Sequence, residues 1–213
     1  MDKNSGQVEG ECANDLARYL INSLGNTDHT LTSVVQSRAQ DVGVIELGCG
    51  CGLPLITLVQ ELAKFGYGGR VRAVFQDNSE ETLREKTRVF VDSQLGDLPG
   101  SFLQNLSIEY TAYSWGSSRQ DDLKSAKSHF DIVLSSECIY RPDLFPVFWD
   151  EISRLQPPIV LIAAKRYYFG CGGGTIEFEA WLAQNQTSYN LCVDWVGEDG
   201  SSNTREILLL TRK

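Results

Sequence analysis

Two short stretches carry residues whose types and spacing could bind a ligand. The first, "VIELGCGCGLPL", places the acid Glu46 before glycines at alternate positions, Gly48, Gly50 and Gly52. A glycine-rich turn that leads into a helix brings backbone N–H groups and the positive helix end against a polar ligand. The glycine order is not the G-x-G-x-x-G of a pyrophosphate site, because Leu53 stands at the sixth position. The second stretch, "FQDN", could hold both hydroxyls of a ribose through its carboxylate, so together the two predict a nucleoside-binding sheet.

A third stretch, "DIVLSSECIY", places the ionisable Glu137 directly after an apolar run. A charged group in such a position needs a partner or a function. We therefore predict a functional carboxylate at Glu137, with a plain helix-capping acid as the alternative. Trp115, in "AYSWG", has two open interpretations, a contact to a bound base or a plug at the edge of the core.

Strand-like and helix-like stretches alternate along the chain, which predicts a mainly parallel sheet covered by helices on both faces. Pro54 and Gly66 bound a stretch with helical spacing, "LPLITLVQELAKFG". Asn78 and Glu81 are predicted to form a capping box for the next helix. The last two strands are too close for a helix between them and predict an antiparallel hairpin. The predicted strands are "VGVIELG", "VRAVFQD", "LSIEYTA", "DIVLSSE", "PIVLIAAK", "NLCVDWV" and "EILLLTR".

Composition narrows the class of protein. A chain of 213 residues with 42% hydrophobic content predicts a single domain, which we place at residues 10–213 after a disordered tail at 1–9. A net charge of −9 argues against direct nucleic-acid binding and suits a basic partner, although solubility alone would also explain it. With no apolar run long enough to span a bilayer and no secretory signal, we expect a soluble intracellular protein.

The six cysteines lie mostly in apolar or glycine-rich segments, so we expect reduced thiols. Four of them, Cys49, Cys51, Cys138 and Cys171, would face one edge of the predicted sheet. Their spacing is unlike the paired ligands of zinc sites, and we predict no metal site.

The motifs resemble those of known methyltransferases. The segment from Glu46 to Gly52 resembles the first motif of S-adenosylmethionine-dependent methyltransferases with a seven-stranded Rossmann-like fold. The pair Glu137 and Tyr140 resembles the D/E-x-x-Y of enzymes that modify lysine or histidine in folded proteins. "AAKRYYFGCGGG" is similar to the "K-x-x-Y-F-G-x-G-G-G" of histidine protein methyltransferases, which modify a histidine of a large-subunit ribosomal protein. "GECANDLARYL" resembles that family's cofactor-contacting helix, with Gly10 where the family has Trp.

This resemblance, which runs from Gly10 to Lys213, implies a site. It implies that Glu137 and Tyr140 face the acceptor. It implies substrate contacts from Lys165, Tyr168 and Phe169, on a mobile lip. The cofactor residues that it implies are Glu11, Cys12, Ala13, Glu46, Gly48, Gly50, Gln76, Asp77, Asn78, Tyr113, Ser114, Trp115, Ser135 and Ser136.

The implied activity is S-adenosylmethionine-dependent methylation of a histidine in a basic ribosomal protein, by a monomer in the cytoplasm or nucleus. Little covalent chemistry is asked of the protein, because the sulfonium methyl is already electrophilic and the acceptor must only be aligned. A histidine with a pKa near 6.5 is mostly neutral at pH 7, so no strong base is needed. Two alternatives stay open: a lysine methyltransferase of the same broader group, and a catalytically silent cofactor-binding scaffold.

Overall fold

The computed structural model describes residues 10–38, 41–117, 129–197 and 204–213, and the predicted tail at 1–9 lies outside these ranges. A seven-stranded sheet in the order β3-β2-β1-β4-β5-β7-β6 forms the middle layer. All seven predicted strands are confirmed. They are β1 Asp41–Leu47, β2 Arg70–Asp77, β3 Leu106–Ala112, β4 Ile132–Ser136, β5 Ile159–Lys165, β6 Tyr189–Gly197 and β7 Arg205–Arg212.

The first five strands pair in parallel, and β7 pairs antiparallel with both β5 and β6. The terminal antiparallel pair is therefore confirmed, although the sequence did not predict that β7 would insert between β5 and β6. Because the chain runs outward from β1 to β3 and then returns to place β4 beside β1, the connections diverge between these two strands. Ligands of open α/β sheets bind at such a point, outside the carboxyl ends of the strands.

Helices cover both faces of the sheet, and within the described ranges none is long and apolar enough to cross a membrane. A π-helical segment, Leu83–Thr87, separates α4 from α5, and a 3₁₀ turn, Pro142–Leu144, precedes α7. The α-helices are α1 Glu11–Leu24, α2 Thr30–Ser37, α3 Leu53–Lys64, α4 Glu80–Thr82, α5 Arg88–Leu95, α6 Gly100–Leu103, α7 Phe145–Leu155 and α8 Thr175–Asn185.

The central strands are buried on both faces, which explains their continuous apolar sequences. Alternate residues enter two cores: Val44 packs with the cluster that contains α1 and α3, and its neighbour Ile45 packs with the cluster that contains α7 and α8. Two packed layers of helices thus hold β1 and β4 rigidly, and their carboxyl ends become fixed points for the loops that follow.

Helix α3 begins and ends as predicted, with Pro54 in its first turn. Gly66 adopts φ +70° just past its end, where Gly66 N–H donates to Ala63 O and Tyr67 N–H donates to Leu62 O. This pair of bonds satisfies the last carbonyls of the helix, and the left-handed φ suits glycine.

The capping box predicted at Asn78 and Glu81 is wrong. Ser79 is the N-cap of α4, and its hydroxyl accepts the Thr82 N–H at 3.1 Å. The Asp77 carboxylate accepts the Ser79 N–H at 3.0 Å, so a tight turn follows β2 and moves the helix start by one residue.

Candidate active site

A cavity of about 340 Å³ opens at the carboxyl edge of the sheet, over the point where the connections diverge. The loops after β1, β2, β3 and β4 line it. Its lining includes the predicted catalytic residue Tyr140 and the predicted cofactor residues Gly48, Gln76, Asp77, Asn78, Tyr113, Ser114 and Trp115. Sequence segments that are far apart in the chain are therefore brought to one place.

Two glycines of the loop after β1 lack a side chain for different reasons. Gly50 has φ +53°, and a Cβ built on it would meet no described atom within 4 Å, so its outer side is open space. Gly52 has φ +83°, and a Cβ there would lie 2.6 Å from the Phe75 ring. One glycine therefore leaves room for a ligand, and the other leaves room for the core behind the loop.

Gln76 holds the loops around the cavity together. It is buried, with 1% of its surface exposed. Its Oε1 accepts the Gly48 N–H at 3.2 Å and the Trp115 Nε1–H at 3.0 Å, and its Nε2 donates to Tyr113 O at 2.7 Å. The side chain predicted to touch the cofactor thus joins the loop after β1 to the loop after β3.

Asp77 lines the cavity and also braces the glycine loop. One carboxylate oxygen accepts the Gly50 N–H at 3.0 Å, while the other accepts the Ser79 N–H. A carboxylate has about four acceptor positions, so each oxygen can take a further donor.

Thr87, in the π-helical segment, also braces the glycine loop, because its hydroxyl donates a hydrogen bond to Gly50 O. Nothing in the local sequence pattern around Thr87 marks this contact.

Glu46 lies on β1, and its fully buried carboxylate reaches the start of α3. Its Oε2 accepts the Leu55 N–H at 3.0 Å, whereas its Oε1 has no hydrogen-bond partner among the described residues. Burial raises the pKa of Glu46 to about 8, opposed by the Leu55 bond and assisted by the Asp77 charge. A buried acceptor without a partner is costly in a protein interior, so this oxygen suits a donor from a bound ligand.

Trp115 packs at the edge of the core, as one of its two interpretations holds, and its place in the cavity lining leaves contact to a bound base as a prediction. Its ring lies 5.0 Å from the Phe148 ring, and it lines the cavity.

Ser135 is fully buried, and its hydroxyl donates to Leu47 O at 3.0 Å. That hydroxyl is used within the sheet. Ser136, half-buried, ends β4.

Cys138 is a lining residue that the sequence prediction missed. A Cβ on Gly48 would lie 2.5 Å from its Sγ, so Gly48 is small because this thiol packs against it. Burial raises the pKa of Cys138 to about 12 and also raises that of Cys49, so both are neutral thiols. Among the described residues, no group of three or more His, Cys, Asp or Glu side chains is placed to hold a metal ion.

Glu137 stands at the end of β4 with φ +55°, a left-handed backbone conformation that non-glycine residues rarely adopt. Its N–H donates to Ala163 O at 2.9 Å, which fixes this geometry. Such strain costs about 1–3 kcal/mol and is concentrated at functional sites. The carboxylate reaches the start of α1, where a Cβ on Gly10 would collide with Glu137 Oε2. The glycine that departs from the family pattern therefore gives this carboxylate its space.

The start of α1 is held at the same edge by ion pairs. Lys165 Nζ lies 3.1 Å from Glu11 Oε2, and this contact, with help from Glu137, raises the pKa of Lys165. The next residues, Cys12 and Ala13, are buried. Burial raises the pKa of the Cys12 thiol, and the Glu137 charge raises it further. The predicted cofactor residues Glu11, Cys12 and Ala13 thus lie in the turn that begins beside Glu137.

A second ion pair fixes the following turn of α1. Arg205 Nε on β7 lies 2.5 Å from Asp15 Oδ2, and both side chains are buried. The helix is therefore attached to two strands of the sheet, one on each side of its first turns.

Residues 166–174, which we call the lip, pack against the segment that carries Tyr140, a lining residue of the cavity. The Tyr168 ring meets the Tyr140 ring edge-on at 6.2 Å, and its hydroxyl accepts the Lys165 N–H at 3.3 Å. Phe169 is 87% exposed at the tip. Exposed aromatic rings beside a cavity are suited to contact a protein partner.

Comparison with known proteins agrees with this geometry. A family model described as lysine methyltransferase matches residues 5–168. The chain is 31% identical to the histidine protein methyltransferase 1 homolog of Dictyostelium discoideum over 173 residues, or 80% of this chain and 50% of that protein. It is 23% identical to the protein-lysine N-methyltransferase EFM6 of Saccharomyces cerevisiae over 167 residues, or 71% of this chain and 60% of that protein. The chain spans about half the length of the histidine methyltransferase relatives that it matches.

Among solved structures, the magnesium protoporphyrin IX methyltransferase of Synechocystis with bound SAH has a TM-score of 0.58, covering 98% of this chain and 90% of that one. At 14% identity this is a likeness of fold. The predicted seven-stranded Rossmann-like methyltransferase fold is confirmed. Because the family model covers well over half of the sequence, and curated relatives include histidine protein methyltransferases, the chain belongs to the lysine methyltransferase family.

Proposed function

We propose that this chain is an S-adenosylmethionine-dependent protein-histidine N-methyltransferase that acts on a basic protein. The observation that carries the proposal is Glu137, a strained carboxylate that directly precedes Cys138 of the cavity lining and whose charge adds to burial in raising the pKa of Tyr168 in the lip. The relatives named histidine protein methyltransferase favour a histidine acceptor, and the resemblance of the motifs favours a large-subunit ribosomal protein as the substrate. A monomer in the cytoplasm or nucleus completes the proposal.

The cavity fits the cofactor chemically. Asp77 can accept hydrogen bonds from ribose hydroxyls, and Trp115 offers an aromatic face to the base. The open side of Gly50 leaves space for a close backbone approach. When bound, S-adenosylmethionine supplies an electrophilic methyl group on a sulfonium.

The chain's own residues then orient the acceptor and exclude water. A neutral imidazole has one N–H and one free nitrogen lone pair, and the Glu137 carboxylate can accept the N–H. This bond selects the tautomer and leaves the other nitrogen to be methylated. Positive charge develops on the imidazole as the new N–C bond forms, and the fixed carboxylate stabilises it. The same carboxylate can take the imidazolium proton, which leaves a neutral methylhistidine.

A lysine methyltransferase is the second candidate, favoured by the family model and by the protein-lysine methyltransferase relative. A lysine acceptor, with a pKa near 10.4, must first lose a proton. A silent cofactor-binding scaffold is the third, and it would bind S-adenosylmethionine without transferring the methyl group.

Product identity decides among the three. The purified chain is incubated with labelled S-adenosylmethionine and an extract that supplies basic ribosomal proteins, and the labelled residue is located by mass spectrometry and by amino-acid analysis. We expect methylhistidine, lost when that one histidine is replaced in the substrate. Methyllysine alone would establish the second candidate. Cofactor binding without any labelled product would establish the third.

A further inference from the structure

The two ends of the lip meet at one buried carboxylate, Glu206 on β7, which is 2% exposed. Its Oε1 lies 3.1 Å from Nε of Arg166, the first residue of the lip. Its Oε2 accepts a hydrogen bond from the hydroxyl of Thr175, the first residue of α8, directly after the lip. Thr175 is fully buried. One side chain therefore contacts the chain on both sides of this segment.

The sheet fixes the position of this carboxylate. Glu206 pairs with Ala164 across the β5–β7 ladder, and Arg166 N–H donates to Thr204 O at 2.8 Å, which extends the pairing by one residue. Arg166 is partly exposed, whereas Glu206 is not. A buried carboxylate is retained only with strong partners, and here both oxygens have one.

Between its two ends, the lip packs on the segment that carries Tyr140. Gly173 N–H donates to Tyr140 O at 3.1 Å, and Gly174 N–H donates to Ile139 O at 2.9 Å. A Cβ on Gly173 would collide with the Tyr140 backbone, and a Cβ on Gly174 would collide with the carbonyl of Arg166. The lip is thus a closed loop whose width depends on how near its ends are held.

We infer that Glu206 is a positioning residue that clamps both ends of the lip and so sets the geometry with which its aromatic residues meet the protein substrate. The role of the lip toward substrate rests on the proposed function, whereas the clamp itself does not. Glu206 lies outside the cofactor cavity, so the inference predicts an effect on the protein substrate and none on the cofactor.

The first experiment measures the clamp directly by hydrogen–deuterium exchange in Glu206→Gln. Glutamine keeps the shape and one hydrogen bond but loses the charge that Arg166 requires. We expect the amides of residues 171–174 to exchange about tenfold faster, the equivalent of one charge-assisted hydrogen bond, with β1–β3 unchanged. Thr175→Val, which removes the other contact, should give the same pattern and serves if Glu206→Gln fails to fold. Unchanged lip exchange in a folded variant would overturn the inference.

The matched control is Glu109→Gln. Glu109 forms an even closer pair with Arg72, at 2.7 and 2.9 Å, on strands distant from the lip. This change should leave exchange in the lip and methyl transfer as they are. If it loosens the lip as much as Glu206→Gln does, the effect is general destabilisation and the clamp is excluded.

The second experiment tests the consequence for recognition. In Glu206→Gln and in Thr175→Val, the KM for the protein substrate should rise about tenfold, while the calorimetric Kd for S-adenosylmethionine stays constant. Thr175→Ser, which keeps the hydroxyl, should behave like the parent protein. A faster-exchanging lip with an unchanged KM would overturn the substrate-recognition part. If the unmodified chain methylates nothing, the proposed function fails, and the exchange data alone decide the clamp.

Discussion

The two edges of the sheet both open into clefts, and the larger cleft is not the candidate site. At the amino edge, a cleft of about 580 Å³ is lined by arginine side chains that form ion pairs with Asp or Glu. Arg70, for example, makes two bonds to Asp41, at 2.6 and 2.8 Å. At the carboxyl edge, the smaller cavity is bordered by two residues that carry an energetic cost. Glu46, two residues before the lining residue Gly48, has a buried oxygen without a described partner, and the strained Glu137 directly precedes the lining residue Cys138.

The difference shows that cleft volume is a poor sign of function, whereas an energetic cost retained in the fold is a better one. Glu137 and Gln156 are the two non-glycine residues with positive φ in the described ranges. Gln156 ends α7, and its N–H donates to Ile152 O at 3.0 Å, an ordinary way for a helix to terminate. Glu137 ends a strand and completes no helix, so its conformation calls for a functional explanation.

The largest expected effect is that of Glu137→Gln. The amide keeps the shape but cannot stabilise positive charge on the acceptor, so the rate of methyl transfer should fall by about 100-fold or more. Cofactor affinity should change little. Steady-state kinetics with calorimetry separate these quantities, and a variant as fast as the parent would remove Glu137 from the chemistry.

Asp77→Ala should have the next largest effect, on cofactor binding. Two charge-assisted hydrogen bonds are worth about 2–4 kcal/mol together, which corresponds to a loss of affinity of roughly 30- to 1000-fold. Asp41→Ala, at the amino edge, is the control and should leave the calorimetric Kd unchanged. Equal Kd values for the two variants would exclude Asp77, and with it the carboxyl edge, from the cofactor site.

Glu46 gives the carboxyl edge a pH dependence. Below pH 4.5, its ordinary pKa, the carboxyl is protonated in the folded and unfolded chains alike. Between pH 4.5 and about 8 only the unfolded chain releases the proton, so this group lowers the free energy of unfolding as the pH rises. From pH 5.5 to 8, the parent should lose on the order of 1–3 kcal/mol relative to Glu46→Gln. If denaturation gives the same difference in free energy of unfolding between the two proteins at both pH values, the raised pKa of Glu46 is contradicted.

The smallest effect separates strain with a function from strain without one. Glycine relieves a left-handed conformation, so Gln156→Gly and Glu137→Gly should each raise the free energy of unfolding by about 0.5–1 kcal/mol. Methyl transfer should survive in Gln156→Gly and be lost in Glu137→Gly. Denaturation and activity measured on the same samples test both. If Glu137→Gly kept its activity, the strain would have no functional meaning.

The sequence predicted the parts of the fold that local pattern controls. Strands buried on both faces are continuous apolar runs, and α3 carries its own start and stop in Pro54 and Gly66. The insertion of β7 beside β5 could not be predicted, because it depends on which pairing buries more surface across a long separation. Hairpin strands need not keep their chain order at a sheet edge.

For the candidate site, residue types were easier to predict than their tasks. The spacing of Gly48 and Gly50 indicated a ligand, but nothing local showed that Gln76 would bond to three residues in two other loops or that Cys138 would pack against Gly48. The bond from Thr87 to Gly50 depends on the π-helical segment, which the local sequence does not indicate. Such contacts join residues remote in sequence, and one sequence does not contain that information.

The attachment of α1 has a consequence for the order of events during synthesis. The Arg205–Asp15 pair joins residues 190 positions apart, and the Lys165–Glu11 pair spans most of the chain as well. The helix that borders Glu137 is synthesised long before its partner strand β7. Contacts of such separation form late, because a long loop must close first. The attachment of α1 beside Glu137 is therefore completed only after synthesis has passed Arg205.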